Sequence, residues 1–146
     1  MRGIQGPPRC CLCKQDQETP EHLLNSCLFA QQQWEAIRGL FRRINRDHHN
    51  IKETIKQWGR GQFTSPVVRR AWSLAAGMNM WMIWKERNRR IFQNKELPQA
   101  RVWKRTLSHI RETILVEAWS QEDWKTTPDE ERILAKLNLD QRMVAP

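Results

Sequence analysis

The sequence predicts an all-α protein of about five helices, which follow a short knuckle rich in cysteine. Apolar residues recur every three or four positions in several long segments, and this is the period of a helix. No segment alternates apolar and polar residues as a half-buried strand would. The chain of 146 residues is long enough to bury one core, and eight Trp supply large side chains to fill it.

The knuckle, residues 10–27, contains all four cysteines of the chain. Three thiolates and one imidazole form a ligand set that Zn²⁺ accepts in a closed tetrahedral site. We therefore predict one structural Zn²⁺, held by the pattern Cys10-x2-Cys13-x8-His22-x4-Cys27. The alternative is that these residues are unrelated small hydrophobes in a loop, but their clustering favours a metal. We predict that Cys11 is not a ligand, because Cys11-x-Cys13 is a poor two-ligand turn.

A helix start is predicted inside the knuckle, where Thr19 serves as the cap and Pro20 takes the first helical position. His22 and Cys27 are five positions apart, which is about 140° around a continuous α-helix. Both can face one metal only if that helix stops between them. Asn25-Ser26 is the predicted stop, since Asn tolerates the left-handed conformation.

The other helices are predicted from apolar spacing and from the caps and breakers that bound them. The segments are about Leu28–Arg43, a short helix from the capping-box-like Asn50 to Trp58, the longest helix over 66–93, a helix from Pro98 to about Ser120, and a last one capped at Thr127 and ending near Leu139.

One face of the longest helix combines aromatic and polar residues, namely Trp81, Trp84, Asn88 and Ile91. We interpret this face as a stripe of the core, because buried Trp explains the spacing without a ligand. Asn88 would then tie two helices together through buried hydrogen bonds. The alternative interpretation is an aromatic platform for unpaired nucleic-acid bases.

The charge is strongly positive and unevenly distributed. The net charge is +9 overall, with 21 Lys and Arg against 8 Asp and Glu over residues 1–111, and 4 against 8 over residues 112–146. Such a balance favours a polyanion partner, RNA or DNA before an anionic membrane. The side chains predicted to contact phosphate are Arg42, Arg43, Arg46, Arg87, Arg89, Arg90, Arg101, Lys104 and Arg105. The alternative is an ordinary solvated helix face.

Several other classes of protein are excluded by the sequence. The amino end lacks the apolar run of a signal peptide, and the apolar stretch 71–84 is too short to span a bilayer. We therefore expect an intracellular protein, nuclear or cytoplasmic, with no membrane partner. Because the chain has no Tyr, no Gly-rich phosphate loop and no evident carboxylate set for Mg²⁺, we predict that it is not an enzyme.

The knuckle and the longest helix resemble a known family. The run Cys10-x2-Cys13, Glu18-Thr19, Glu21-His22-Leu23-Leu24, Cys27, Ala30 and Trp34 resembles the reverse-transcriptase zinc-binding domain of plant LINE-type (non-LTR) retrotransposons. The run Trp81-x-Ile83-Trp84-Lys85-Glu86-Arg87-Asn88-x-x-Ile91-Phe92 is similar to the helix that follows this domain in the same polyproteins.

The resemblance implies a zinc site and a role with nucleic acid beside a reverse transcriptase. We expect a flexible lead-in over residues 1–9, the zinc-binding domain over 10–93 and a helical extension over 94–146. Because neither a polymerase nor a ribonuclease H is visible in the sequence, we expect a remnant of a degraded element. The predicted function is a non-catalytic, zinc-stabilised nucleic-acid-binding module. The alternative is a Trp-rich scaffold that docks a protein partner or a second copy through a patch containing Trp72 or Trp103.

Overall fold

A computed structural model describes residues 9–42, 50–58, 63–120 and 125–139. Over these ranges the protein contains a π-helical turn, His22–Ser26, followed by five α-helices: α1 Leu28–Phe41, α2 Ile51–Trp58, α3 Pro66–Phe92, α4 Gln99–Val116 and α5 Pro128–Lys136. The predicted all-α class is confirmed. Apart from Arg9, the lead-in predicted for residues 1–9 lies outside the described residues.

The helices begin where their capping residues place them. Ser65 accepts a hydrogen bond from the backbone N–H of Val68 at 3.2 Å, and Pro66 takes the first position of α3. Thr127 and Glu130 form a reciprocal capping box at the start of α5. These local bonds satisfy backbone donors that have no partner inside the helix, which is why the sequence alone could place both starts.

Three helix ends differ from the prediction by a few residues, and one of them is the end of α5, at Lys136 rather than near Leu139. The first helix, α1, ends at Phe41, and Arg42 follows with a left-handed φ of 53°. The fourth helix, α4, ends at Val116, before the predicted Ser120, and the chain becomes extended at Glu117. The Trp119 indole N–H then donates to the Ile114 carbonyl at 2.9 Å, so the segment after the helix folds back onto its last turn.

Helix α3 lies at the centre of one core and contacts all four of the other α-helices. Helices α4 and α5 pack on both α1 and α3, so the segment predicted as an extension completes the same core. Trp58 and Trp72 stack with ring centroids 4.1 Å apart, and each indole N–H donates to the carbonyl of the other residue. Buried indoles gain most when the N–H is also satisfied, so this pair anchors α2 on α3.

A buried polar network joins α1, α3 and α4. The Gln33 side-chain amide donates to Asn79 at 3.3 Å and to Thr106 at 3.4 Å, and all three residues are completely buried. Gln99 donates to the Gln33 side-chain oxygen at 2.6 Å. The polar tie that we predicted at Asn88 is therefore made by Asn79. Partners this specific fix the mutual register of the three helices.

The prediction that Trp81, Trp84 and Ile91 form a core stripe is wrong. Their exposed fractions are 54%, 42% and 45%. Asn88 is half-buried, and its side-chain oxygen accepts from the neighbouring Arg87 rather than from another helix. The buried face of this part of α3 consists of Asn79, Met82, Ile83 and Glu86. Both faces of α3 have the helical period, and only the face that contains Asn79 and Met82 has α1 and α4 packed against it.

Among the described helices, none combines the length and apolar character that crossing a bilayer requires.

Candidate metal centre

The knuckle brings the four predicted ligands together. The Cys10 and Cys27 sulfurs lie 3.8 Å apart, and the Cys13 sulfur lies 3.2 Å from His22 Nε2. All four ligand atoms lie within 4.8 Å of one another. In a tetrahedral zinc site, two sulfurs about 2.3 Å from the metal are separated by about 3.8 Å, and a sulfur and a nitrogen by about 3.6 Å. The observed set fits one Zn²⁺, with the Cys13–His22 pair a few tenths of an ångström closer than ideal.

A π-helical turn places His22 and Cys27 on the same side. The Cys27 backbone N–H donates to the His22 carbonyl at 2.7 Å, which is the five-residue bond of a π-helix. The turn then ends because Cys27 is extended, with ψ of 139°. We predicted a stop at Asn25-Ser26 through a left-handed Asn, but Asn25 is not among the residues with positive φ. Its side chain instead donates to Glu21 at 2.8 Å.

The other two ligands come from a tight turn. The Lys14 backbone N–H donates to the Cys10 carbonyl, and the Cys10 N–H donates to the Asp16 carbonyl, both at 2.7 Å. Lys14 has a positive φ of 61°, which lets the chain reverse directly after Cys13. An isolated β-bridge between Arg9 and Gln17 closes the loop. The turn thus holds Cys10 and Cys13 on the side that faces the π-helical turn.

The two halves of the site differ in burial and in acidity. Cys10 and Cys27 are completely buried, whereas Cys13 and His22 are half-buried. Burial raises the pKa of Cys27 to about 12, and the adjacent Cys10 sulfur adds to the rise. For Cys13, desolvation is outweighed by hydrogen bonds from the Asp16 and Gln15 backbone and from His22, which lower its pKa to about 6. A zinc ion bound here at neutral pH would meet Cys13 as a thiolate and displace a proton from Cys27.

Cys11 lies outside the ligand group, as predicted. Its sulfur is directed at the Arg87 carbonyl oxygen at 3.8 Å, and burial raises the pKa of its thiol. A thiol that is held away from the other sulfurs and disfavours ionisation is a poor ligand.

Arginines of α3 clamp the knuckle to the helical core. Arg87 forms two hydrogen bonds to the Glu18 carboxylate, at 3.1 and 2.9 Å. Arg90 donates to the backbone carbonyls of Cys11 and Leu12 at 3.2 and 3.4 Å. These contacts tie the loop that carries Cys10 and Cys13 to α3, so the metal site is continuous with the core rather than an appendage.

The Glu86 carboxylate, inside the protein, holds Arg90, one of the arginines that contact the knuckle. The carboxylate is completely buried and accepts from Arg89, from Arg90 at 2.8 Å and from the Leu97 backbone N–H at 2.9 Å. The sequence pattern alone assigns no role to Glu86 or Glu18. The spacing of Glu86 to Arg89 and Arg90, three and four positions, is the one signal that could have indicated the ion pairs.

The side chains predicted to contact phosphate therefore divide into three groups. Arg87, Arg89 and Arg90 are engaged in internal ion pairs, with exposed side-chain fractions of 20%, 17% and 10%. The exposed members are Arg42, which pairs with Asp129 at 3.4 Å, and Arg101, Lys104 and Arg105 on α4, for which the described part of the chain provides no ion pair. Arg43 and Arg46 lie outside the described residues.

Comparison with known proteins identifies the segment that carries the ligands. Residues 1–34, which include all four of them, match the family described as zinc-binding in reverse transcriptase. The amino-terminal segment is of the reverse-transcriptase zinc-binding type. The match ends within α1, so the extent of 10–93 for this domain stays a prediction. No curated protein and no solved structure matches the chain.

Proposed function

We propose that this chain is a non-catalytic, zinc-stabilised module that binds RNA or DNA inside the cell and derives from the reverse transcriptase of a plant LINE-type retrotransposon. The family of residues 1–34 supports the origin. The ligand set supports the non-catalytic role, because four protein ligands complete a tetrahedral shell and leave no position for a reacting water. Zinc would then contribute folding energy to a knuckle that is too short for a core of its own.

The observation that carries nucleic-acid binding is the outward face of α4. Arg101, Lys104 and Arg105 are exposed and project within about 100° of one another around the helix. The stretch 99–111 of α4 contains no acidic residue, so nothing on this helix neutralises them locally. Unpaired cations in a row contact the phosphate backbone without reading base sequence.

The test is the salt dependence of binding to a labelled single-stranded oligonucleotide. We compare the wild type with the triple variant Arg101→Gln, Lys104→Gln and Arg105→Gln. The matched control, Lys52→Gln, Lys56→Gln and Lys125→Gln, removes the same charge from exposed positions elsewhere. Affinity falls as salt rises, so the slope of log affinity against log salt is negative. In the α4 variant the slope should be shallower by about 2, at about 0.7 per lost contact. The proposal would be refuted if the wild type does not bind the oligonucleotide, or if its affinity does not depend on salt concentration. It would also be refuted if the control variant loses as much salt dependence as the α4 variant.

A second candidate is a scaffold that docks a protein partner such as a reverse transcriptase. It is favoured by an open groove of about 540 Å³ lined by α1, α4 and α5 residues, in which Trp103 and Leu107 lie. Trp72, the other residue on which this hypothesis depended, is buried against Trp58. Binding of a separately purified reverse transcriptase that is lost in Trp103→Ala but kept in the α4 charge variant would favour the scaffold.

A further inference from the structure

Two large aromatic side chains of α3 face solvent although the helix is central to the core. Trp81 and Trp84 are 54% and 42% exposed and lie one helical turn apart, on the same side. Exposed Trp is costly, because each ring forfeits the burial that stabilises aromatic residues elsewhere in the chain. Neighbouring exposed rings of this size form an apolar surface on which a ligand or partner can pack.

A cation of α3 lies against each of these rings. The Lys85 ammonium lies 5.9 Å from the centre of the Trp81 ring, and the Arg87 guanidinium lies 5.0 Å from that of Trp84. Glu86 is the one acidic residue of α3, and it is completely buried on the opposite face. A ligand on this surface therefore meets two aromatic rings and the Lys85 ammonium, whereas the charge of Arg87 is already paired with Glu18 of the zinc-binding segment.

The contact between α3 and the knuckle also positions the cation that lies against Trp84. The guanidinium that covers Trp84 belongs to Arg87, which is held by two hydrogen bonds to Glu18 in the zinc-binding segment. Two bonds in a fork orient the planar guanidinium as well as placing its charge. Trp84 thus presents one ring face to a group whose position is set by the knuckle, which reduces the cost of ordering the ring when a ligand binds.

We infer that the α3 aromatic face, defined as Trp81, Trp84, Lys85, Arg87 and Asn88, is a stacking platform for single-stranded nucleic acid. The inference rests on the proposed nucleic-acid binding and assigns it a second surface and a strand type. Unpaired bases stack on exposed aromatic rings whatever their sequence, and their phosphates pair with adjacent cations. A duplex keeps its bases stacked inside, so it would engage the basic face of α4 but not these rings. The Lys85 ammonium beside Trp81 favours a polyanion here over an uncharged protein surface.

The experiment separates stacking from apolar docking by changing the rings in two ways. The double variant Trp81→Leu and Trp84→Leu keeps apolar side chains but removes the π-faces, whereas Trp81→Phe and Trp84→Phe keeps both. Each is titrated with a labelled single strand and with a hairpin duplex at one salt concentration. Zinc content and far-ultraviolet circular dichroism confirm that the variants are folded, which is expected because both positions are exposed. The α4 charge variant is measured in parallel.

The leucine variant should bind the single strand roughly 5- to 140-fold more weakly for each stack lost. It should bind the duplex as the wild type does, and the phenylalanine variant should retain most of the single-strand affinity. If the leucine variant keeps full single-strand affinity while the α4 charge variant loses it, the inference is overturned and the proposed function stands. If the wild type binds neither ligand, both fall. A different outcome is a stable dimer of the wild type in which both Trp rings are shielded from a soluble quencher. If the leucine variant forms the same dimer, the face belongs to a second copy of the chain and the inference is overturned.

Discussion

Replacing Glu86 by Ala should be among the most damaging single substitutions in the protein. The carboxylate is 0% exposed and all of its bonds are internal. Its removal leaves Arg90, whose side chain is 10% exposed, without a carboxylate partner, and leaves the Leu97 N–H without an acceptor. Loss of one partner of a buried pair costs about 3–5 kcal/mol. Such a loss is a large part of the roughly 5–15 kcal/mol that stabilises a typical domain.

The assay is urea unfolding of the zinc-saturated protein, followed by circular dichroism. Glu86→Gln should fall between the wild type and Glu86→Ala, because the amide oxygen can still accept from Leu97 although the charge is lost. Glu112, exposed on α4 and without an ion pair in the described residues, provides the control Glu112→Ala. Glu86→Ala should also lose zinc to a chelator faster, since Arg90 links Glu86 to the carbonyls of the knuckle. A loss below about 1 kcal/mol, the value for a surface pair, would refute this reasoning.

Three further predictions follow from the described contacts. Removal of zinc should unfold the knuckle but leave most helical circular dichroism intact, because α3 and α4 pack mainly on each other. Thr127→Ala should cost about 1 kcal/mol in urea unfolding, since it removes the capping box of α5. Because Cys27 has a pKa of about 12 without metal, binding at neutral pH should release its proton, so zinc affinity should rise with pH. The affinity should fall more steeply below about pH 6, where Cys13 also becomes protonated. Calorimetry in buffers of different ionisation heats measures this release.

The helix starts and the ligand set could be predicted because their determinants are local. Ser65 with Pro66, and Thr127 with Glu130, satisfy backbone donors within a few residues. Zinc prefers cysteine sulfur and histidine nitrogen as ligands. A cysteine pair and a histidine at this spacing therefore already indicate the site in the sequence.

The orientation of α3 could not be predicted because its two faces have the same period. Trp81 and Trp84 repeat at helical spacing just as Asn79, Met82 and Glu86 do, and only the packing of α1 and α4 decides which face is buried. The π-helical turn has a similar origin, since the His22–Cys27 bond has no residue signature of its own. It is selected by the requirement that both ligands face one point.

The charged residues of α3 can be counted from the sequence, but the partner of each one cannot be read from it. Arg87 looks free in the sequence because its partner, Glu18, is more than sixty positions away. The basic surface that remains for a polyanion is accordingly smaller than the net charge of +9 suggests. Of the predicted phosphate contacts that the structure describes, the exposed ones without an ion pair are Arg101, Lys104 and Arg105 on α4.

The most direct test of the account is X-ray absorption at the zinc edge, combined with metal analysis of the purified protein. We expect one zinc per chain with three sulfur ligands and one nitrogen, unchanged in Cys11→Ser and lost or remodelled in Cys13→Ser. A shell of four sulfurs, a site emptied by Cys11→Ser, or a folded wild-type protein that binds no zinc would contradict it.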